Sequence, residues 1–270
     1  MNAISELLLR SVTAIPKAVS LWRRFPIGSV ALRTRYGAWS RPQYAYGVFH
    51  AAQEAQRLGL EGISVIEFGV GSGDGLLALE RIADEVARYF GIRILVLGFD
   101  TGEGMPASAD YRDLPYVWAK GFYKMDQARL QQRLSPGTQL VIGNVSETVQ
   151  RLAGIPEPIG FVAFDLDYYS STKHALAAFD LPQRTRLPRV YCYFDDILYP
   201  EFACHNPWTG ELCAIREFNE QRTDVKLSPL HLLRWLRVHP EPWNDQIYVL
   251  HDFHHPLYSV NIMPKTPSTP

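Results

Sequence analysis

Apolar and polar positions follow one another along this chain in patterns that separate buried strands from amphipathic helices. Short apolar runs predict strands at 63–68, 92–99, 139–143, 159–165, 189–194, 230–238 and 246–253. Apolar residues at helical spacing predict helices at 41–58, 74–89, 147–152, 172–179 and 210–221. Strands that alternate with helices form parallel sheets through right-handed crossovers. The pattern therefore predicts an α/β fold with a mostly parallel seven-stranded sheet and helices on both faces.

The first 40 residues differ from the rest of the chain in charge. Through Arg41 the chain has seven basic residues and one acidic residue, which leaves the remainder acidic. Apolar residues recur there at helical spacing, namely Ile4, Leu7, Leu8, Val12 and Ile15. This helix could pack on the domain or on a second copy of the chain, or lie on an anionic membrane surface. We predict a basic N-terminal helical extension (1–40), an α/β domain (41–263) and a disordered tail (264–270).

The composition is that of an ordinary globular protein, with 47% hydrophobic and 20% charged residues. No apolar run reaches the length that a membrane-spanning helix needs. The cysteines, Cys192, Cys204 and Cys213, form no CxxC pair, which argues against a disulfide framework and for a reducing compartment. We therefore predict a cytoplasmic protein, and the composition gives no reason to expect a nucleic-acid partner.

A glycine-rich turn joins the first predicted strand to the next helix. Glu67, Gly69, Gly71 and Gly73 follow one another at alternate positions. A dinucleotide fingerprint would need a glycine where Asp74 stands, and no lysine follows to form a phosphate-binding loop. An acidic residue at the start of a helix also opposes a pyrophosphate. The turn instead resembles the first motif of class I S-adenosylmethionine-dependent methyltransferases, which approaches the amino acid part of the cofactor.

That resemblance implies further cofactor contacts at the ends of the next strands. Asp100 fits the carboxylate that accepts hydrogen bonds from the ribose hydroxyls, although it could also serve only as a turn former. Asn144 stands where many such enzymes have an acidic residue near the adenine, and its amide oxygen could accept the same hydrogen bond. Thr101, Val145 and Asp165 complete the predicted contacts.

Two pairs of carboxylates follow the fourth and fifth predicted strands. Asp165 and Asp167 form one pair, and Asp195 and Asp196 form the other. Because side chains alternate along a strand, Asp165 and Asp167 are expected to point the same way, and close like charges require a proton or a cation. A metal ion, a general base, or both are therefore implied. For Asp195 and Asp196 the alternative is a turn with solvated carboxylates.

Four motifs in order resemble the macrocin O-methyltransferase family: GFDTGEGMP (98–106), GNVSETV (143–149), DLDYYSST (165–172) and Asp195-Asp196. The resemblance spans about 61–196. That family methylates sugar hydroxyls on natural products, usually with Mg²⁺. The resemblance implies that Asp165, Asp195 and Asp196 bind Mg²⁺, that Asp167 is the general base, and that the acceptor is a small-molecule hydroxyl, with glycosides among the candidates. The aromatic segment 101–127 is predicted to be a folded flap over the site.

Other interpretations remain open at this stage. The DxD of Asp165 and Asp167 also resembles the motif with which metal-dependent glycosyltransferases hold a nucleotide sugar. The fold could also be a non-catalytic S-adenosylmethionine-binding module. A zinc site is a further alternative, with ligands drawn from His251, His254, His255, Cys204, His205 and Cys213.

Overall fold

A seven-stranded sheet organises the part of the chain that the computed structural model describes, residues 3–15 and 17–263. The strands are β1 (Gly62–Phe68), β2 (Arg93–Asp100), β3 (Gln139–Ile142), β4 (Ile159–Phe164), β5 (Arg186–Phe194), β6 (Val225–Pro229) and β7 (Ile247–Asp252). Their order is β3-β2-β1-β4-β5-β7-β6. Strand β7 is antiparallel to both of its neighbours, and the other pairs are parallel. This confirms the predicted mostly parallel α/β sheet.

The helices are α1 (Ala3–Thr13), α2 (Ala18–Arg24), α3 (Val30–Tyr36), α4 (Pro42–Arg57), α5 (Asp74–Phe90), α6 (Gln127–Arg133), α7 (Val145–Thr148), α8 (Tyr169–Ala175), α9 (Gly210–Gln221) and α10 (Leu233–Leu236). Short 3₁₀ segments follow α7 and α8 directly, at Val149–Gly154 and Leu176–Asp180. The predicted helices are therefore all present, with shifts of a few residues at their ends.

Two hydrophobic cores cover the two faces of the sheet. Every residue of β1 is buried, and alternation sends Ile63 and Val65 into the core that contains α4 and α5. Ile66 and Phe68 enter the second core, which contains residues of α8 and α9. Burying each such side chain contributes about 1.5–3 kcal/mol, so the sheet is fixed from both sides. Helix α4 packs very closely, because a Cβ at Gly47 would overlap the ring of Phe161.

Helices α1 to α3 form the predicted N-terminal helical extension. Arg23 of α2 forms an ion pair with Glu241, and its Nε donates a 2.8 Å hydrogen bond to the Gly37 carbonyl. In α1 several apolar side chains stay exposed, among them Leu7, Leu8 and Val12. The extension thus contacts the domain through α2, while the membrane and second-copy interpretations of α1 stay predictions. The predicted disordered tail, 264–270, lies outside the described residues.

The prediction of a strand at 230–238 is wrong. The edge strand is β6, which precedes this segment, and the segment itself contains α10. Leu232, Leu233, Trp235 and Leu236 do not alternate with polar residues, and only Leu233 among them is buried. A strand with one solvated face needs alternation, which residues 225–229 supply by burying Leu227 between two exposed or half-buried neighbours on each side.

Candidate active site

A cavity of about 310 Å³ opens at the carboxyl ends of the central strands. The predicted site residues that line it are Glu67, Gly69, Gly71, Asp100, Thr101, Asn144, Val145, Asp165, Asp167, Asp195 and Asp196. Gly73 is the predicted residue that does not line it, and a Cβ there would overlap Leu130 of α6 instead. Gly73 therefore serves the packing of α6 against the turn.

The glycine turn after β1 is held from two directions. Gly69 has a φ of 86°, and a Cβ there would overlap the carbonyl oxygen of Asp165, so only glycine fits. Asp100 Oδ2 accepts hydrogen bonds from the N–H groups of Val70 and Gly71, both at 2.9 Å. Its Oδ1 accepts the Gly102 N–H at 2.7 Å. The Asp100 carboxylate is thus fixed at the cavity wall, and Oδ1, which accepts one hydrogen bond where Oδ2 accepts two, can still accept another.

Two other predicted cofactor contacts use their side chains within the protein. Asn144 Oδ1 accepts the Ser146 N–H at 3.0 Å and its hydroxyl at 2.8 Å, which caps α7. The amide nitrogen of Asn144 is therefore the group left for a ligand. The Thr101 hydroxyl donates to the Gly104 carbonyl at 3.2 Å and accepts the Glu103 N–H at 3.2 Å, so it closes the first turn of the flap.

Glu67 brings an unsatisfied buried carboxyl oxygen to the cavity. Its side chain is almost fully buried, and the Tyr44 hydroxyl donates a 2.6 Å hydrogen bond to Oε1. Oε2 has no hydrogen-bond partner among the described residues. Burial raises the pKa of Glu67 to about 8, against the opposing effects of the Tyr44 hydrogen bond and the Arg41 charge. Such an oxygen is costly to leave unpaired, so a ligand that supplies a donor or a cation fits here.

Asp165, Asp195 and Asp196 line the cavity and converge. Each offers an oxygen, and the three oxygens lie within 4.8 Å of one another. Asp196 Oδ2 accepts the Asp167 N–H at 2.8 Å, and the Tyr193 hydroxyl donates to Asp195 Oδ1. Burial first, and then the neighbouring carboxylates, raise the pKa of Asp165. Hard oxygen ligands gathered at this spacing fit a divalent cation such as Mg²⁺.

Asp167 lies beside this group but is not one of its three converging carboxylates. Strand β4 ends at Phe164, and Asp167 has a φ of 58°, so the period-two argument for its direction does not apply. It nevertheless lines the same cavity as Asp165. Burial raises the pKa of Asp167 to about 7. A buried carboxyl group that titrates near neutral pH is suited to proton transfer.

The DLDYYSST motif holds the flap in place. Asp113 of the flap accepts the Ser170 N–H at 2.8 Å and the Ser170 hydroxyl at 2.9 Å, so it caps α8 from outside the helix. The Tyr168 hydroxyl donates to the Pro106 carbonyl at 3.1 Å. Met105, Pro106 and Tyr123 of the flap line the cavity. Segment 101–127 is therefore folded over the site, as its composition predicts.

Three residues near the cavity are absent from the sequence predictions. Arg41 lines it, and Tyr44 positions Glu67. Glu211 is completely buried in the first turn of α9, where its Oε2 accepts the Asp196 N–H at 3.0 Å. Each is separated from the motifs in sequence. The sequence predicts a helix that begins near Arg41 and contains Tyr44, but this prediction does not reveal which residues they contact.

Residues 3–15 and 17–263 contain no other converging group of metal ligands, so the histidine and cysteine candidates do not form a zinc site there. All three cysteines are free, as predicted. In the described part of the chain, no helix combines the length and apolar character required to span a bilayer.

The fold has counterparts among solved structures. The calicheamicin methyltransferase CalS11 is 23% identical, with a TM-score of 0.51 over 93% of this chain and 94% of that chain. The O-methyltransferase NovP is 14% identical, with a TM-score of 0.49 over 80% of this chain and 91% of that chain. No protein-family model and no curated protein matches the sequence. The similarity to CalS11 shows that this chain has the fold of a methyltransferase.

Proposed function

We propose that this protein is an S-adenosylmethionine-dependent O-methyltransferase that acts on a hydroxyl of a sugar or another small polar metabolite with the help of a divalent cation. One observation carries the proposal: a single cavity joins the glycine turn and Asp100 to three converging carboxylates. CalS11, which shares the fold, is described as a TDP-rhamnose 3'-O-methyltransferase. That description supports a sugar hydroxyl as the acceptor.

The cofactor would lie along the glycine turn. Asp100 Oδ1 would accept a hydrogen bond from a ribose hydroxyl, and Asn144, Thr101 and Val145 would face the adenosine. Glu67 Oε2, which no described residue contacts by a hydrogen bond, would accept one from the cofactor's ammonium group. The carboxylates around the cavity also suit a sulfonium, because an acidic wall stabilises a positive charge. When bound, the cofactor supplies an electrophilic methyl group.

Asp165, Asp195 and Asp196 would hold the cation, which would lower the pKa of a bound acceptor hydroxyl. Asp167 would accept the hydroxyl proton as the acceptor oxygen takes the methyl group and the carbon–sulfur bond breaks, which leaves S-adenosylhomocysteine. The folded flap would exclude water from this site through Met105 and Pro106. Fixed geometry of the two reacting groups would supply much of the remaining rate acceleration.

Calorimetry with S-adenosylhomocysteine tests the cofactor part of the proposal. We expect binding by the wild-type protein and its loss in Gly71→Val, because Gly71 lines the cavity and has a φ of 50° that a valine adopts only under strain, although Tyr123, 3.9 Å away, leaves room for the side chain. Methyl transfer from labelled S-adenosylmethionine to a panel of glycosides, with Mg²⁺ or with EDTA, tests the reaction. If the protein binds a nucleotide sugar but neither S-adenosylmethionine nor S-adenosylhomocysteine, the proposal is refuted and glycosyl transfer is favoured.

A further inference from the structure

We propose that Arg41 binds the carboxylate of the cofactor's amino acid part, so that Arg41 and Glu67 together recognise an α-amino acid zwitterion. This inference rests on the proposed function, and it assigns a role to a residue that no sequence motif contains. It follows from the position of Arg41, from the charges around it and from the absence of a hydrogen-bond or ion-pair partner for its guanidinium in the part of the chain that the structure describes.

Arg41 lies on the same wall of the cavity as Glu67. It is the N-cap residue of α4, and Pro42 fixes the first position of the helix. The Arg41 guanidinium carbon lies 5.4 Å from the centre of the Tyr44 ring. The Tyr44 hydroxyl in turn donates to Glu67 Oε1. Arg41, Tyr44 and Glu67 thus form one continuous group that lines or supports the cavity beside the glycine turn.

The charge distribution makes Arg41 exceptional. Six carboxylate residues line the cavity: Glu67, Asp100, Asp165, Asp167, Asp195 and Asp196. Among the residues that the structure describes, Arg41 is the only cationic side chain that lines it. Burial lowers the pKa of Arg41, but the surrounding acidic groups more than offset that effect, so it remains charged. A negatively charged ligand group that enters this acidic cavity has no other cation of the described chain to meet.

Among the described residues, the Arg41 guanidinium has the Tyr44 ring as a neighbour but no hydrogen bond or ion pair, whereas two arginines packed into the domain form ion pairs. Arg186, for example, contacts Asp252 at 2.6 Å, and Arg189 contacts Glu54 at 2.9 Å. An arginine presents five N–H donors in a planar fork that matches a carboxylate. Glu67 Oε2 is the complementary unpaired acceptor for an ammonium. An amino acid zwitterion satisfies both groups at once.

A pair of ligands that differ in the amino acid part tests this assignment. S-adenosylhomocysteine has the carboxylate, whereas 5′-methylthioadenosine keeps the adenosine and the sulfur but lacks the amino acid. In calorimetry with EDTA, Arg41→Ala should weaken S-adenosylhomocysteine binding by about 10- to 100-fold and leave 5′-methylthioadenosine binding unchanged. Arg41→Lys should restore part of the affinity. Arg57→Ala, at the exposed opposite end of α4, is the matched control and should bind both ligands normally.

Two outcomes would contradict the role of Arg41, and a third would contradict the proposed function. Equal weakening for both ligands would mean that Arg41 only maintains the shape of the cavity. Unchanged binding of S-adenosylhomocysteine together with tighter Mg²⁺ binding in Arg41→Ala would make Arg41 a counter-ion of Asp165 and Asp195. If the wild-type protein binds neither ligand, the proposed function itself fails, and this failure is distinct from an effect seen only in the variant.

Discussion

Cofactor binding is expected to release a proton from Glu67. Burial raises the pKa of this carboxyl group to about 8, so about nine in ten molecules of the free protein hold it protonated at pH 7. An ammonium beside the unpaired Oε2 favours the carboxylate. Binding of S-adenosylhomocysteine at pH 7 should therefore release about 0.9 proton from this residue.

The same pKa fixes how affinity depends on pH. Deprotonating Glu67 at pH 7 costs about 1.4 kcal/mol, one unit below its pKa. A hydrogen bond between charged groups contributes about 1.5–3 kcal/mol. The cost of deprotonating Glu67 therefore offsets much of this contribution at pH 7 and little of it at pH 9. Glu67→Gln keeps an oxygen for the Tyr44 hydroxyl but cannot ionise. Its affinity for the ligand should fall further behind that of the wild type as the pH rises through 8.

Calorimetry in two buffers of different ionisation enthalpy, with EDTA present, counts the released protons. The difference between wild type and Glu67→Gln isolates Glu67, because titration of the ligand's own ammonium is common to both. Tyr44→Phe is a useful second variant: the hydrogen bond from Tyr44 lowers the pKa of Glu67, so its removal should increase proton release at pH 8. Equal proton release by wild type and Glu67→Gln would refute the pairing of Glu67 with the ammonium.

Three further predictions concern the turn and the carboxylates. A Cβ at residue 75 would overlap Glu67 Oε1, so Gly75→Ala should lower the free energy of unfolding by about 1–3 kcal/mol in denaturant melts. Gly137→Ala, where a Cβ meets no described atom within 4 Å, should not lower it. Asp167→Asn should keep Mg²⁺ affinity and lower kcat by about 10²- to 10⁴-fold; full activity would remove it from the mechanism. Asp196→Asn should weaken Mg²⁺ binding and regain activity at higher Mg²⁺, and a loss without rescue would count against a ligand role.

The sequence predicts the central strands of the sheet well because their apolar runs are distinctive. The parallel strands β1 and β4 are buried on both faces, and such runs are hard to mistake for other elements. The edge strand β6 is harder to predict from the sequence, because Leu227 is its only deeply buried residue. The more apolar segment after β6 does not alternate between apolar and polar residues. Pairing at an edge depends on the neighbouring strand, here β7, and this information is not local to the segment.

The candidate site likewise contains residues that could be predicted from the sequence and residues that could not. Residues that follow strands, such as Asp100 and Asp165, could be predicted to meet, because the carboxyl ends of parallel strands share one edge. Arg41 and Glu211 reach the site from helices α4 and α9, and only the packing of those helices on the sheet brings them there. The direction of Asp167 could not be derived from strand alternation, since its backbone leaves the extended conformation.

The acidic cavity opposes stability and favours ligand binding for the same physical reason. Burial raises the pKa of Glu67 and Asp167 above their unfolded values, so the folded protein holds protons that the unfolded chain has lost at neutral pH. For groups shifted in this direction, the contribution to the free energy of unfolding is full below pH 4 and declines as the pH rises toward 7 for Asp167 and 8 for Glu67. A cationic ligand that binds only the native state restores this loss by stabilising the carboxylates. The buried carboxyl groups whose ionisation destabilises the fold are therefore the ones that select a sulfonium, an ammonium or a divalent cation.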